Sequence, residues 1–142
     1  MSTSNDEEMI RRSLCKHSFH VDRGEFEKFV SFYTEDSVVE AVGEVEAVIK
    51  GRDGLLAWLN DNSASGKRIS WRHYNTNHVV TVRGDRAQAM SYNLAFEKLP
   101  GLEAKFRAIG YYEDYLVKRG GEWLIEKRRI LFDASDLGEF WD

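Results

Sequence analysis

The 142-residue sequence contains one cysteine, Cys15, and one proline, Pro100. A lone thiol excludes an internal disulfide and cannot build a thiolate metal site alone, so a reducing, cytoplasmic setting is expected. Positive charge is not in excess: the formal net charge is -4, with both signs interspersed, which argues against a nucleic-acid or anionic-membrane partner. No apolar run approaches membrane-spanning length, and Met1 to Glu8 is polar and acidic, unlike a signal peptide or anchor. The four histidines follow no recognisable ligand spacing, so neither a metal nor a cofactor is expected.

Ring surface, by contrast, is plentiful, with eight Phe, six Tyr and four Trp. That is enough to fill a core and line an apolar pocket, and the length suits one domain over 1–142. A flexible start over about 1–5 and a tail over 133–142 are expected, the tail docking on a neighbouring subunit or closing a pocket mouth through Leu137, Phe140 and Trp141.

Ser4-Asn5-Asp6-Glu7 is a helix-start pattern, followed by the apolar stripe Ile10, Leu14, His17, Val21 and a stop at Gly24. A second helix is expected to carry Phe26, Phe29, Val30 and Tyr33 on one face and to end near Thr34 to Asp36. Val38 to Val42 and Val45 to Lys50 read as a hairpin turning at Gly43-Glu44. A third helix carries Leu55, Trp58 and Leu59 and closes over Asn62 to Gly66. Four long strands follow, near Ile69 to Val82, Arg86 to Leu99, Ala104 to Lys118 and Glu122 to Phe132, with turns at Gly84-Asp85, Pro100-Gly101 and Gly120-Gly121. This order predicts an α+β fold: a strongly curved, mostly antiparallel sheet wrapped around helices, with a central cavity.

Several polar residues sit where such a cavity would form. Strict alternation puts His73, Asn75 and Asn77 on one face, with Tyr74, Thr76 and His78 on the other, and three polar groups together need partners or a polar cavity. His73 is a candidate base, although a single histidine in a sheet is more often a hydrogen-bonded core residue; Asp22 is a candidate partner or a helix terminator. His17 is either a satisfied core residue or a pocket group. Arg128 shares a regular strand face with Leu124, Glu126 and Ile130, where Glu126 is a candidate ion-pair partner, unless a bulge turns Arg128 inward instead of Arg129. Trp58, Trp71, Tyr92, Phe96, Phe106 and Tyr112 are expected mostly in the core, with Trp58 or Tyr33 nearest a ligand. Asn77 is expected to hold the curved backbone, and Cys15 to be inert.

Larger blocks carry a resemblance. Val21-Asp22-Arg23-Gly24, Phe32-Tyr33-Thr34-Glu35-Asp36, Lys50-Gly51-Arg52-Asp53, Arg72-His73-Tyr74-Asn75-Thr76-Asn77, Gly84-Asp85-Arg86-Ala87, Gly110-Tyr111-Tyr112 and Gly121-Glu122-Trp123-Leu124-Ile125, then Arg128, resemble the SnoaL-like group of the nuclear transport factor 2-like superfamily, cone-shaped α+β barrels. Within it the chain is similar to scytalone dehydratase, bile-acid dehydratase and hexachlorocyclohexane dehydrochlorinase, which eliminate water or chloride without metal or cofactor. The resemblance implies an Asp22–His73 acid/base dyad with Arg128 in the pocket, and a small hydrophobic cyclic substrate bound with the help of His17, Tyr33, Trp58, Asn75 and Tyr112. His17 stands where the bile-acid enzyme has a catalytic tyrosine, which marks a departure in substrate chemistry. A homotrimer is implied, with a dimer as runner-up. The alternatives are a non-catalytic ligand-binding or assembly domain, and an isomerase or polyketide cyclase using the same proton abstraction.

Overall fold

A glycine with positive φ ends the first helix, and everything that positions the pocket follows from where that helix stops. In the computed structural model, which describes residues 3–43, 46–63, 70–98 and 100–142, helix α1 spans Thr3–Asp22, and Gly24 turns the chain at φ 71°. Ile10, Leu14 and His17 are buried along α1, as its apolar spacing predicts. Asp6, in the first turn, is buried too, because it accepts hydrogen bonds from Lys118 Nζ and Trp123 Nε1 at 2.7 and 3.0 Å.

Helix α2 is only Phe26–Val30, not the longer helix expected. Tyr33 already lies in strand β1 (Tyr33–Val42): the amide of Ile125 donates to Phe32 O at 2.8 Å, and Tyr33 pairs with Ile125. A long-range strand pairing overrides the local helical pattern. Strand β2 (Ala47–Lys50) returns antiparallel to β1, and helix α3 (Gly51–Ser63) follows directly. The long strands are β3 (Ser70–Arg83), β4 (Arg86–Lys98), β5 (Lys105–Arg119) and β6 (Glu122–Leu131). The expected boundaries at Glu44, Val45, Ala64 to Gly66, Ile69 and Leu99 lie outside the described residues.

Among the described residues six strands form one mixed sheet in the order β2-β1-β6-β5-β4-β3, parallel only between β1 and β6. β2 and β3 are its two edges, so the cone is an open, curved sheet and not a closed barrel. Irregularities in register between Thr76 and Val79, Ala95 and Phe96, and Tyr115 and Leu116 supply the bends. α1 packs on β3 and α3 on β1, which encloses the concave face.

The outer face is less apolar-in than expected. Tyr92 and Phe106, read as core, are about half exposed there beside Tyr74 and Ile109, and Trp58 is half exposed at the cavity rim. The tail does not reach the pocket mouth. Gln88 Nε2 donates to Glu139 O and Gln88 Oε1 accepts from Trp141 N, which fixes residues 139–141 on the chain's own sheet. No helix among the described residues is long and apolar enough to cross a membrane.

Candidate functional site

Asp22 is the last residue of α1, and its carboxylate reaches 51 residues along the chain to β3. One oxygen accepts the backbone N–H of His73 at 2.8 Å, and the other meets His73 Nδ1 at 2.5 Å. This two-point grip fixes both strand and ring. An ionised carboxylate only accepts, so Nδ1 of the neutral ring carries the proton and Nε2 keeps its lone pair. Both side chains are mostly shielded from solvent, at 11% and 19% relative exposure.

His73 faces two spaces. An interior cavity of about 260 Å³ is lined by His17, Tyr33, Trp58, His73, Tyr112 and Arg128, with Val39, Ile49, Leu55 and Leu59 as aliphatic walls. An outer groove of about 480 Å³ between α1 and β3 is lined by Cys15, Phe19, Asp22, His73 and Asn75 among others. Asn75 therefore shares a face with His73 but lines the groove, where its Nδ2 donates to Ser18 Oγ at 2.5 Å.

Asn77 leaves that face altogether. It adopts φ 56° at the β3 bulge, is exposed, and hands the inward phase to half-buried His78. Strict alternation fails because the bulge adds a residue opposite β4. Burial holds the His78 ring below its ordinary titration range.

Arg128 turns inward and Arg129 outward. Leu116 pairs with Ile125 but Tyr115 with Lys127, so Glu126 is the extra residue of a bulge and the strand changes phase. The expected Glu126 partner is replaced by Asp114, which lies directly across the ladder on β5. Arg128 Nε and Nη2 donate to the two Asp114 oxygens at 2.7 and 2.8 Å, while Glu126 pairs with Arg86 on the surface. On the opposite sheet face the adjacent cross-strand pair is Glu113 with Arg129, at 3.1 Å. Asp114 was missed at the sequence level; its signal is the two-residue spacing from Tyr112, which puts both on the inward face of β5.

The buried end of the cavity is a continuous polar cluster. His17 Nε2 lies 3.0 Å from Tyr33 Oη and 3.2 Å from Arg128 Nη1, its ring stacks on Phe29 at 4.2 Å, and the Arg128 guanidinium lies 4.0 Å above the Tyr112 ring. Burial, then the charge of Arg128, holds His17 well below its ordinary range, so it is a neutral imidazole. Burial opposes the charge on Arg128, but Asp114 overcomes it and keeps the guanidinium firmly protonated. Burial also raises Tyr33 and Tyr112, which remain neutral phenols. Among the described residues no cluster of three or more His, Cys, Asp or Glu side chains is placed to hold a metal ion.

The geometry defines a class: an α+β cone in which a carboxylate-bound histidine and a buried arginine face one apolar cavity. The model of the SnoaL-like domain matches residues 2–129, and the chain belongs to that family, within the nuclear transport factor 2-like superfamily. No functionally curated protein matches it in sequence. Among solved structures it is similar to a Mycobacterium tuberculosis protein of unknown function, with 27% identity and a TM-score of 0.77 over 90% of this chain and 73% of that one. A Novosphingobium aromaticivorans protein provisionally assigned as a scytalone dehydratase shares 24% identity, with a TM-score of 0.74 over 88% of this chain and 82% of that one. The β subunit of a provisionally assigned aromatic-ring-hydroxylating dioxygenase from the same organism shares 16%, with a TM-score of 0.79 over 92% and 91%. The last two likenesses show the fold alone.

Proposed function

We propose that the protein is a lyase of the dehydratase type, acting on a small, hydrophobic cyclic molecule bound in the interior cavity. The observation that carries this reading is the two-point bond from Asp22 to His73, which leaves Nε2 as the ring's acceptor on a residue that lines the cavity. His73 takes a carbon-bound proton next to a carbonyl and the electron pair moves toward the carbonyl oxygen; as it returns to form the C=C bond the bond to the β-substituent breaks, a halide leaving as its anion and a hydroxyl leaving as water with the proton handed on from the His73 imidazolium. Asp22 fixes the tautomer and stabilises the imidazolium as it forms. His17, Tyr33 and Arg128 form the polar end toward which negative charge develops, and the aliphatic walls with Trp58 and Tyr112 hold the ring system. The step needs no cofactor.

The test is a panel of cyclic β-hydroxy and β-halo ketones, with enone formation followed by ultraviolet absorbance. The wild type is expected to turn over at least one member, and His73→Ala and Asp22→Asn to lose about 10²–10⁴ in kcat while retaining ligand affinity. Turnover undiminished in folded His73→Ala would sink the lyase reading. Isomerisation or cyclisation by the same proton abstraction would appear as a different product. The likeness to a dioxygenase β subunit favours one further reading, a non-catalytic assembly domain, which predicts no turnover in any variant.

A further inference from the structure

Two donors converge on one lone pair at the buried end of the cavity. His17 Nε2 is 3.0 Å from the Tyr33 hydroxyl and 3.2 Å from Arg128 Nη1. A guanidinium has no acceptor, so its approach requires Nε2 to be unprotonated, and an unprotonated imidazole nitrogen offers a single lone pair in the ring plane. Both protons cannot occupy it fully.

The competition has an uneven outcome, because the two donors differ in freedom. Three of the five Arg128 N–H groups are committed, two to Asp114 and one to His17, and the planar fork cannot turn one of them without losing the others. The Tyr33 hydroxyl rotates about its C–O bond. Its proton is therefore the one that can leave His17 when an oxygen enters the cavity, and Arg128 still satisfies the nitrogen it leaves. Asp114, at 2.7 and 2.8 Å, offsets the charge of Arg128 at the site, which weakens a direct action of the guanidinium on a substrate anion.

We propose that Tyr33 is the hydrogen-bond donor to the substrate's carbonyl oxygen as that oxygen gains charge, and that His17, Arg128 and Asp114 are positioning residues that hold its hydroxyl ready to turn. No proton is transferred from Tyr33: at this stage the abstracted proton is on His73, which passes it to a departing hydroxyl, and the phenol donates a hydrogen bond to the enolate-like oxygen. Burial raises Tyr33 far above the ordinary phenol range, in keeping with a donor that stays protonated. The assignment rests on the elimination reading for its catalytic meaning but not for its geometry.

The probe is 1-tetralone carrying a ¹³C-labelled carbonyl, a bicyclic ketone that accepts a hydrogen bond but has none to give. Its infrared carbonyl band is expected to shift to lower frequency when bound to the wild type. The shift should be lost in Tyr33→Phe, which keeps the ring and leaves His17 bonded to Arg128, and kept in His73→Ala. On a reactive substrate, Tyr33→Phe should lose about 10²–10³ in kcat with little change in KM. Should Tyr33→Phe fail to fold, the wild type labelled with 3-fluorotyrosine serves, and the ¹⁹F resonance of Tyr33 should move on adding the ketone. A band shift unchanged in Tyr33→Phe, an unmoved ¹⁹F resonance, or no bound ketone band in the wild type would overturn the assignment. Loss of the lyase reading with the Tyr33-dependent shift intact would instead leave an oxygen-binding site without that reaction.

Discussion

His17 is the residue whose environment most constrains the protein's response to pH. Folding buries it between Phe29 and the Arg128 guanidinium, so the folded ring resists a proton that the unfolded ring accepts below its ordinary 6.5. The unfolded state binds more protons as pH falls, so the stability held above that value drains on acidification, by up to about 1.4 kcal/mol per pH unit for one such group. His78, half-buried and shifted the same way, adds a smaller share. His17→Gln keeps an acceptor for Arg128 and removes the titration. Urea unfolding between pH 6.5 and about pH 5 should show a shallower slope in that variant than in the wild type. The adjacent ion pair makes a separate prediction. Arg128 is 3% exposed, so Asp114→Leu strands a buried charge and should cost about 3–5 kcal/mol, whereas Asp114→Leu with Arg128→Met should cost less than the single change. A denaturation midpoint in which the double variant is the less stable would contradict this. At this scale much was legible: Asp22, His73 and the His17 stripe stand where spacing and resemblance put them. The partner of Arg128 was not, because it depends on which residue of β5 the ladder sets opposite, a register that no local pattern encodes.

Strands make the same point one level up. Glycine turns and β-branched runs outlined β3 to β6 to within a residue or two, since those signals are local. The shortness of α2, the parallel pairing of β1 with β6, and the two changes of phase in β3 and β6 are products of long-range pairing, and periodicity is blind to them. These changes of phase are what build the site, because they turn Arg128 inward and Asn77 outward. Asn77 holds φ 56°, a conformation open to Asn and Gly but poorly tolerated by a β-branched residue. Asn77→Val should therefore cost about 1–2 kcal/mol in urea denaturation, and Asn77→Gly should be close to neutral. Equal losses for the two would place the constraint in the Asn side chain and not in the backbone.

Over the whole molecule, the concave face belongs to the cavity and the convex face to the tail. Glu113, 1% exposed, is the anchor there: it accepts from Tyr115 Oη at 2.7 Å, from Gly138 N at 2.7 Å and from Arg129 at 3.1 Å. Desolvation pushes its carboxyl up, but those three bonds outweigh it and hold the group below its ordinary 4.5. Asp133, which accepts from Ser135 N at 2.8 Å, is lowered as well. A carboxyl lowered by folding stabilises the protein above its unfolded value, and that contribution disappears as pH falls through the folded value. Removal of residues 134–142 takes away Gly138 N and Ser135 N, and with them part of the lowering. The truncated chain should thus be less stable than the full chain at pH 7, with the gap narrowing as pH falls below 4.5. Thermal unfolding across that range measures it. Because residues 133–142 do not line the cavity, the tetralone carbonyl shift should persist in the truncated protein at neutral pH. A gap independent of pH would mean that the strap holds through Trp141, which packs on Arg83 and Tyr115, and through the Gln88 bonds, with Glu113 a bystander.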